Sequence, residues 1–99
     1  MKERIKVGII GFGRMGGFYL TEMLKNPKWE VAYICDVDPE ARAYARKFSP
    51  LSKVVEDEDV VFVDPDVQVV GLFTLANNRL EQIQKAVRTG KHIISEKPV

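Results

Sequence analysis

Three glycines, Gly11, Gly13 and Gly16, belong to the most informative run of this sequence. An apolar segment, Lys6–Ile10, is typical of a short buried strand and leads into the run, and a predicted helix, Met15–Lys25, leads out of it. Gly11 permits a tight turn, Gly13 permits close approach of a pyrophosphate, and Gly16 permits close packing of helix on strand. The N–H groups at such a helix start, with its dipole, favour a bound anion.

A single acid stands at the position that a dinucleotide requires. Asp36 lies twenty residues after Gly16, at the end of a second apolar segment, Trp29–Cys35. Strand, glycine turn, helix, strand and acid in this order predict a dinucleotide-binding unit. We therefore expect the turn residues to contact the cofactor: Gly11, Phe12, Gly13, Arg14, Met15 and Gly16. Two interpretations stay open for the Arg14 side chain, which either binds phosphate or is solvated.

The charge of Asp36 favours NAD over NADP. Its carboxylate can accept hydrogen bonds from ribose hydroxyls but repels the 2′-phosphate of NADP. Two unit charges about 4 Å apart repel by about 1 kcal/mol in water and about 4 kcal/mol at an effective dielectric of 20. Arg42 is the nearby candidate for a compensating cation, and we interpret it as a solvated helix residue. Asp38 is better explained as a helix N-cap.

Composition limits the classes of partner. Ninety-nine residues suffice for one small domain, and 15 basic against 14 acidic residues leave a net charge of +1. This balance predicts neither nucleic acid nor a membrane surface as partner. The N-terminus lacks the long apolar core of a signal peptide, and a single cysteine, Cys35, indicates no disulfide framework or metal site. We expect a cytoplasmic protein without a metal.

Strand and helix patterns alternate along the chain, which predicts a three-layer α/β fold with a doubly wound parallel sheet of strand order 3-2-1-4-5. Val60–Val63 stays ambiguous, because so short an apolar run fits a strand or a single helical turn. The other elements predicted beyond Asp36 are the strands Lys53–Val55, Val67–Thr74 and Lys91–Ser95 and the helix Pro39–Phe48.

A last helix is predicted between the final two strands. Asn77 or Asn78 can cap it, it runs to Thr89, and Gly90 ends it. Its apolar residues Leu80, Ile83 and Val87 lie on one side of it.

Polar residues lie at the ends of the last two predicted strands, at the same sheet edge as the glycine turn. Thr74 is the last residue of one strand, and Glu96, Lys97 and Pro98 follow the other. An ammonium such as that of Lys97 can stabilise an alkoxide that develops during hydride transfer. The internal positions of His92 and Cys35 favour structural roles for both, with Cys35 a packing residue.

With these residues in place, the chain resembles the N-terminal part of the Gfo/Idh/MocA oxidoreductases. The matching segments are VGIIGFGRMG at Val7–Gly16, CDVDPE at Cys35–Glu40 and GKHIISEKPV at Gly90–Val99. The resemblance implies NAD(P)-dependent hydride transfer at a hydroxyl-bearing carbon of a sugar, polyol or related metabolite. It also implies that Lys97 faces nicotinamide and substrate, that Glu96 and Pro98 fix its loop, and that a short helix lies near Asp57–Val63.

The chain departs from the family pattern after the fourth strand. Members usually carry a Thr-Pro-Asn-like turn followed by a histidine, whereas this chain has TLANNR from Thr74 to Arg79. Asn77 therefore either contacts the cofactor or only caps the helix.

Family members continue with a sixth strand and a C-terminal substrate domain. The resemblance thus implies that residues 1–99 are the NAD(P)-binding Rossmann domain of a two-domain oxidoreductase, without its substrate domain and inactive alone. It further implies a small-molecule substrate and a homo-oligomer formed through that second domain. Two alternatives stay open: a non-catalytic NAD(P)-sensing regulatory protein, and a glycosidase that uses NAD as a transient oxidant.

Overall fold

The computed structural model describes residues 4–12, 21–73 and 79–95. Within them the strands are β1 (Ile5–Ile10), β2 (Trp29–Cys35), β3 (Lys53–Val55), β4 (Val69–Leu72) and β5 (His92–Ser95). The helices are α1 (residues 21–25), α2 (Pro39–Phe48), α3 (Glu58–Val63) and α4 (Arg79–Arg88). All the strands pair in parallel in the order β3-β2-β1-β4-β5, so the predicted fold class and strand order are confirmed.

Helices cover both faces of this sheet. One core cluster joins β1 and β2 to α1 and α2, and its fully buried members include Val7, Ile9, Ile34 and Ala45. The second joins the other face to α3 and α4 and includes Val61, Phe62, Val70 and Ala86. Because both faces are buried, the central strands are apolar on successive residues rather than on alternate ones.

Side-chain caps explain where α2 and α3 begin. Asp38 accepts a hydrogen bond from the Glu40 N–H at 3.0 Å, as predicted, and Pro39 suits the first helical position. Asp57 caps α3 in the same way. The ambiguous Val60–Val63 run is therefore helical, as the resemblance implies.

The last two strands are shorter than predicted. β4 spans Val69–Leu72 rather than Val67–Thr74, because the Val67 N–H bonds to the Asp64 carbonyl in the preceding turn. Thr74 lies outside the described residues. β5 begins at His92 rather than Lys91, whose buried ammonium donates to the carbonyls of Asp64 and Val67 at 2.7 and 2.8 Å. Burial lowers the pKa of Lys91, and the two carbonyls stabilise its charged form.

Of the three apolar residues on one side of α4, only Ile83 packs on the core. Leu80 is 69% exposed and Val87 is 68% exposed, whereas Gln82 and Ala86 are buried and Ile83 is half-buried. The side of α4 that faces the protein is the one that carries Gln82, whose amide donates a hydrogen bond to the Glu58 carboxylate of α3. The end of α4 agrees with its prediction: Gly90 has φ +72°, a conformation that favours glycine.

Close packing of β1 on α3 depends on Gly8. A Cβ atom built on Gly8 would overlap Cγ1 of Val61, which is fully buried and β-branched and so cannot easily rotate away. We expect Gly8→Ala to lower the free energy of unfolding by about 1–3 kcal/mol, the usual cost of overpacking. Urea unfolding of both proteins, monitored by circular dichroism, measures this difference in the free energy of unfolding.

A double variant separates this overlap from other effects. In a Val61→Ala background the methyl that Gly8→Ala would meet is gone, so Gly8→Ala should cost little there. An equal cost in both backgrounds would show that Gly8 is required for another reason.

Candidate functional site

Backbone hydrogen bonds continue past the carboxyl ends of the strands and fix the residues that follow them. The Gly11 N–H donates to the Cys35 carbonyl at 2.8 Å, and the Phe73 N–H donates to the Ile10 carbonyl at 2.9 Å. The Asp36 N–H similarly donates to β3 at 3.1 Å. The positions after β1, β2 and β4 are therefore held next to one another along one edge.

A β-bulge in β2 determines on which face of the sheet the side chains at the end of that strand lie. Val31 and Tyr33 pair with the consecutive β1 residues Val7 and Gly8, which leaves Ala32 as the extra residue. An extra residue shifts the alternation of side chains by one position. The first residue after β2 therefore lies on the face of α1 and α2 instead of the face of α3. Nothing in the sequence pattern indicated this bulge.

The carboxylate of Asp36 is held by two backbone amides. Its Oδ2 accepts from the Phe12 N–H and its Oδ1 accepts from the Asp38 N–H, each at 2.9 Å. Gly11 has φ +86°, the left-handed conformation that makes this turn possible. Phe12 is itself buried, with its ring edge-on to Tyr44 at 5.9 Å between centroids. The glycine turn and the acid thus fix each other's positions.

Arg42 differs from its prediction as a solvated helix residue. It is half-buried, and its Nη1 donates to the carbonyls of Asp36 and Val37 at 2.9 and 3.0 Å. The carbonyls of this turn point toward the first turn of α2, where a guanidinium can bind two of them at once. A fixed positive charge therefore lies beside the acid.

Cys35 and His92 take no part in the site. Burial, together with the carboxylates of Glu58, Asp36 and Asp57, raises the pKa of Cys35 to about 12, so its thiol is protonated at neutral pH. This confirms its interpretation as a packing residue. The internal position predicted for His92 is wrong, because the His92 side chain is exposed. His92 begins β5 and so lies at the amino ends of the strands, away from Asp36.

Of the predicted site residues, the structure brings together Gly11, Phe12 and Asp36. The others lie outside the described residues: Gly13, Arg14, Met15, Gly16, Thr74, Asn77, Glu96, Lys97 and Pro98. Within residues 4–12, 21–73 and 79–95, no group of three or more histidine, cysteine, aspartate or glutamate residues could hold a metal ion. No helix in those ranges has the length and apolar character needed to cross a membrane.

Comparison with known proteins places this geometry among oxidoreductases. Residues 5–99 match the family model of the Gfo/Idh/MocA oxidoreductases, described as an NAD-binding Rossmann fold. Inositol 2-dehydrogenase/D-chiro-inositol 3-dehydrogenase from Lacticaseibacillus casei is 35% identical over 99 residues, covering 96% of this chain and 28% of the relative.

Solved structures give the same fold with either cofactor. Scyllo-inositol dehydrogenase from Lactobacillus casei, with bound NAD(H) and scyllo-inositol, superposes with TM-score 0.88 and 32% identity over 97% of this chain and 28% of its own. KijD10, a 3-ketoreductase from Actinomadura kijaniata in complex with NADP and TDP-benzene, has TM-score 0.87 and 27% identity, covering 97% and 30%. The chain thus spans less than a third of the length of these relatives.

Proposed function

Because this chain belongs to the Gfo/Idh/MocA oxidoreductase family, we propose that it is the domain that binds NAD in an enzyme oxidising a polyol or sugar. The reaction would transfer hydride between NAD and a hydroxyl-bearing carbon. The inositol dehydrogenases among its relatives support the polyol part of this substrate class. The complete enzyme would act in the cytoplasm on a small molecule, as a homo-oligomer formed through a C-terminal domain.

The observation that carries the proposal is the Asp36 carboxylate, held by the Phe12 and Asp38 amides beside the glycine turn. Ribose hydroxyls need a hydrogen-bond acceptor at the end of the second strand, and a carboxylate accepts there. The left-handed Gly11 permits the tight turn that follows β1. The described residues therefore fit a dinucleotide.

The same acid supports NAD over NADP. A 2′-phosphate placed against Asp36 would face a like charge, while Arg42, bound to the carbonyls of that turn, offsets part of the repulsion. The cation is fixed by its own hydrogen bonds, so it cannot swing out to bind a phosphate without losing them. We therefore propose a preference for NAD that is moderate rather than absolute.

The catalytic half of the proposal rests on the family motif. Bound NAD supplies the hydride acceptor. Lys97 would bind the substrate hydroxyl and stabilise the negative charge that develops on its oxygen, while an acid/base residue of the C-terminal domain would take the proton. Glu96 and Pro98 would fix the Lys97 loop, and Thr74 and Asn77 would contact the nicotinamide side. Gly13, Arg14, Met15 and Gly16 would complete the pyrophosphate turn with Gly11 and Phe12.

Exchanging the acid for its amide tests the cofactor preference. We expect calorimetric titration of the chain to give tighter binding of NAD than of NADP. Asp36→Asn should weaken NAD about 10-fold or more, since hydrogen bonds to a charged group contribute about 1.5–3 kcal/mol, and should bring the two affinities closer.

Asp38→Asn is the matched control, because it removes the same charge two residues away and asparagine caps a helix as well as aspartate does. It should leave both affinities nearly unchanged. A wild-type preference for NADP, or an NAD-to-NADP ratio that Asp36→Asn does not move, would contradict the role of Asp36.

Replacing the motif lysine tests catalysis separately. In a complete enzyme containing this domain, Lys97→Ala should lower kcat about 10²- to 10³-fold, the range for removing one group that stabilises a developing oxyanion. The affinity for NAD should change far less. Steady-state kinetics with a polyol substrate measures both, and turnover unchanged by Lys97→Ala would remove the lysine from the mechanism.

A further inference from the structure

The ring of Phe12 anchors the residue whose amide reaches Asp36. Phe12 is buried and belongs to the same core cluster as Ile9 of β1 and Ala45 of α2. Its N–H donates to Oδ2 of Asp36 at 2.9 Å. Because a side chain takes one of a few staggered rotamers relative to its own backbone, a ring fixed in place limits the direction in which the Phe12 amide points.

Tyr44 of α2 contacts that ring. The two rings lie 5.9 Å apart between centroids at an interplanar angle of 68°, an edge-on arrangement. Aromatic pairs in this geometry stabilise a structure by more than the area that they bury. Tyr44 is itself 56% exposed. The Phe12 ring therefore lies between the core and an aromatic side chain at the surface of α2.

The helix α2 thus holds both members of the Phe12–Asp36 hydrogen bond. Arg42 Nη1 donates to the Asp36 carbonyl at 2.9 Å, and Tyr44, two residues later, contacts the Phe12 ring. The start of α2 is fixed in turn by its Asp38 cap. One helix therefore attaches to the turn after β1 and to the turn after β2, and Tyr44 is its aromatic contact with the first of these.

We propose that Tyr44 is a positioning residue for the adenosine side of the cofactor site. It acts through Phe12: by holding the ring it keeps the Phe12 amide on the Asp36 carboxylate, and the carboxylate stays where ribose hydroxyls can donate to it. An acceptor held in this way before binding loses less freedom when the ligand arrives. The effect on NAD rests on the proposed function, whereas the contact itself belongs to the free chain.

Hydrogen exchange in the free chain, followed by ¹H–¹⁵N NMR, tests the contact. The Phe12 amide should exchange about 2- to 10-fold faster in Tyr44→Ala, the factor that corresponds to one aromatic pair. Tyr44→Phe keeps the ring and should exchange as the wild type does. The Phe73 amide, bonded to the Ile10 carbonyl of β1, reports any general loosening of the sheet and should not change. Equal Phe12 rates in the wild type and Tyr44→Ala would overturn the inference.

A double-mutant cycle tests whether the effect reaches the cofactor through Asp36. Calorimetric titration should show that Tyr44→Ala weakens NAD about 2- to 10-fold and that Tyr44→Phe restores the wild-type affinity. In an Asp36→Ala background the carboxylate that Tyr44 positions is gone, so Tyr44→Ala should no longer weaken NAD. An equal loss in both backgrounds would also overturn the inference, because Tyr44 would then act by another route.

Phe48→Ala is the matched control. Phe48 is an aromatic residue one turn further along α2, it is 43% exposed, and its ring lies 5.3 Å from that of Tyr44. Its replacement removes a ring of similar exposure and should weaken NAD less than Tyr44→Ala does; an equal loss would count against a specific role of Tyr44. Failure of the wild-type chain to bind NAD would instead refute the proposed function, and the exchange of the Phe12 amide would still decide the inference.

Discussion

The hydrogen bonds from the Phe12 and Asp38 amides to the Asp36 carboxylate are the interaction on which this site depends. The first joins the turn after β1 to the turn after β2, which are separate in sequence and adjacent only because the sheet is parallel; the second lies within the turn after β2. A left-handed Gly11 aims one amide, and the N-terminal turn of α2 supplies the other. The acid is therefore held in place before any ligand arrives, which reduces the entropy that binding must remove.

Two features inside the sheet make that interaction possible. The bulge at Ala32 returns the end of β2 to the face of α1 and α2, so that Asp36 and the glycine turn meet. Gly8 lets α3 approach β1 closely on the other face. On that face the Glu58 carboxylate of α3 also accepts hydrogen bonds from Gln82 and Lys85 of α4, beside the apolar contacts of Ile83 and Ala86.

Local sequence chemistry made much of this predictable. The ends of α2 follow from an N-cap aspartate, a proline at the first helical position and Ser49-Pro50, and the strand order follows from the right-handed alternation of elements. Other features depend on partners distant in sequence. Gln82 is buried with its amide bonded to a carboxylate 24 residues away. Arg42 is held by backbone carbonyls, and the spacing of apolar residues does not show where those carbonyls point. A bulge likewise leaves no local signature when its extra residue is an alanine.

The most direct measurement of the central claim is an amide ¹H–¹⁵N NMR titration of the chain with NAD. The account predicts that the resonances of Phe12 and Asp38 shift at low NAD concentration, and that NADP requires a higher concentration to produce the same shifts. The amide resonance of Lys91, at the amino edge of the sheet, should not shift. Shifts at Lys91 with Phe12 and Asp38 unmoved would contradict the account.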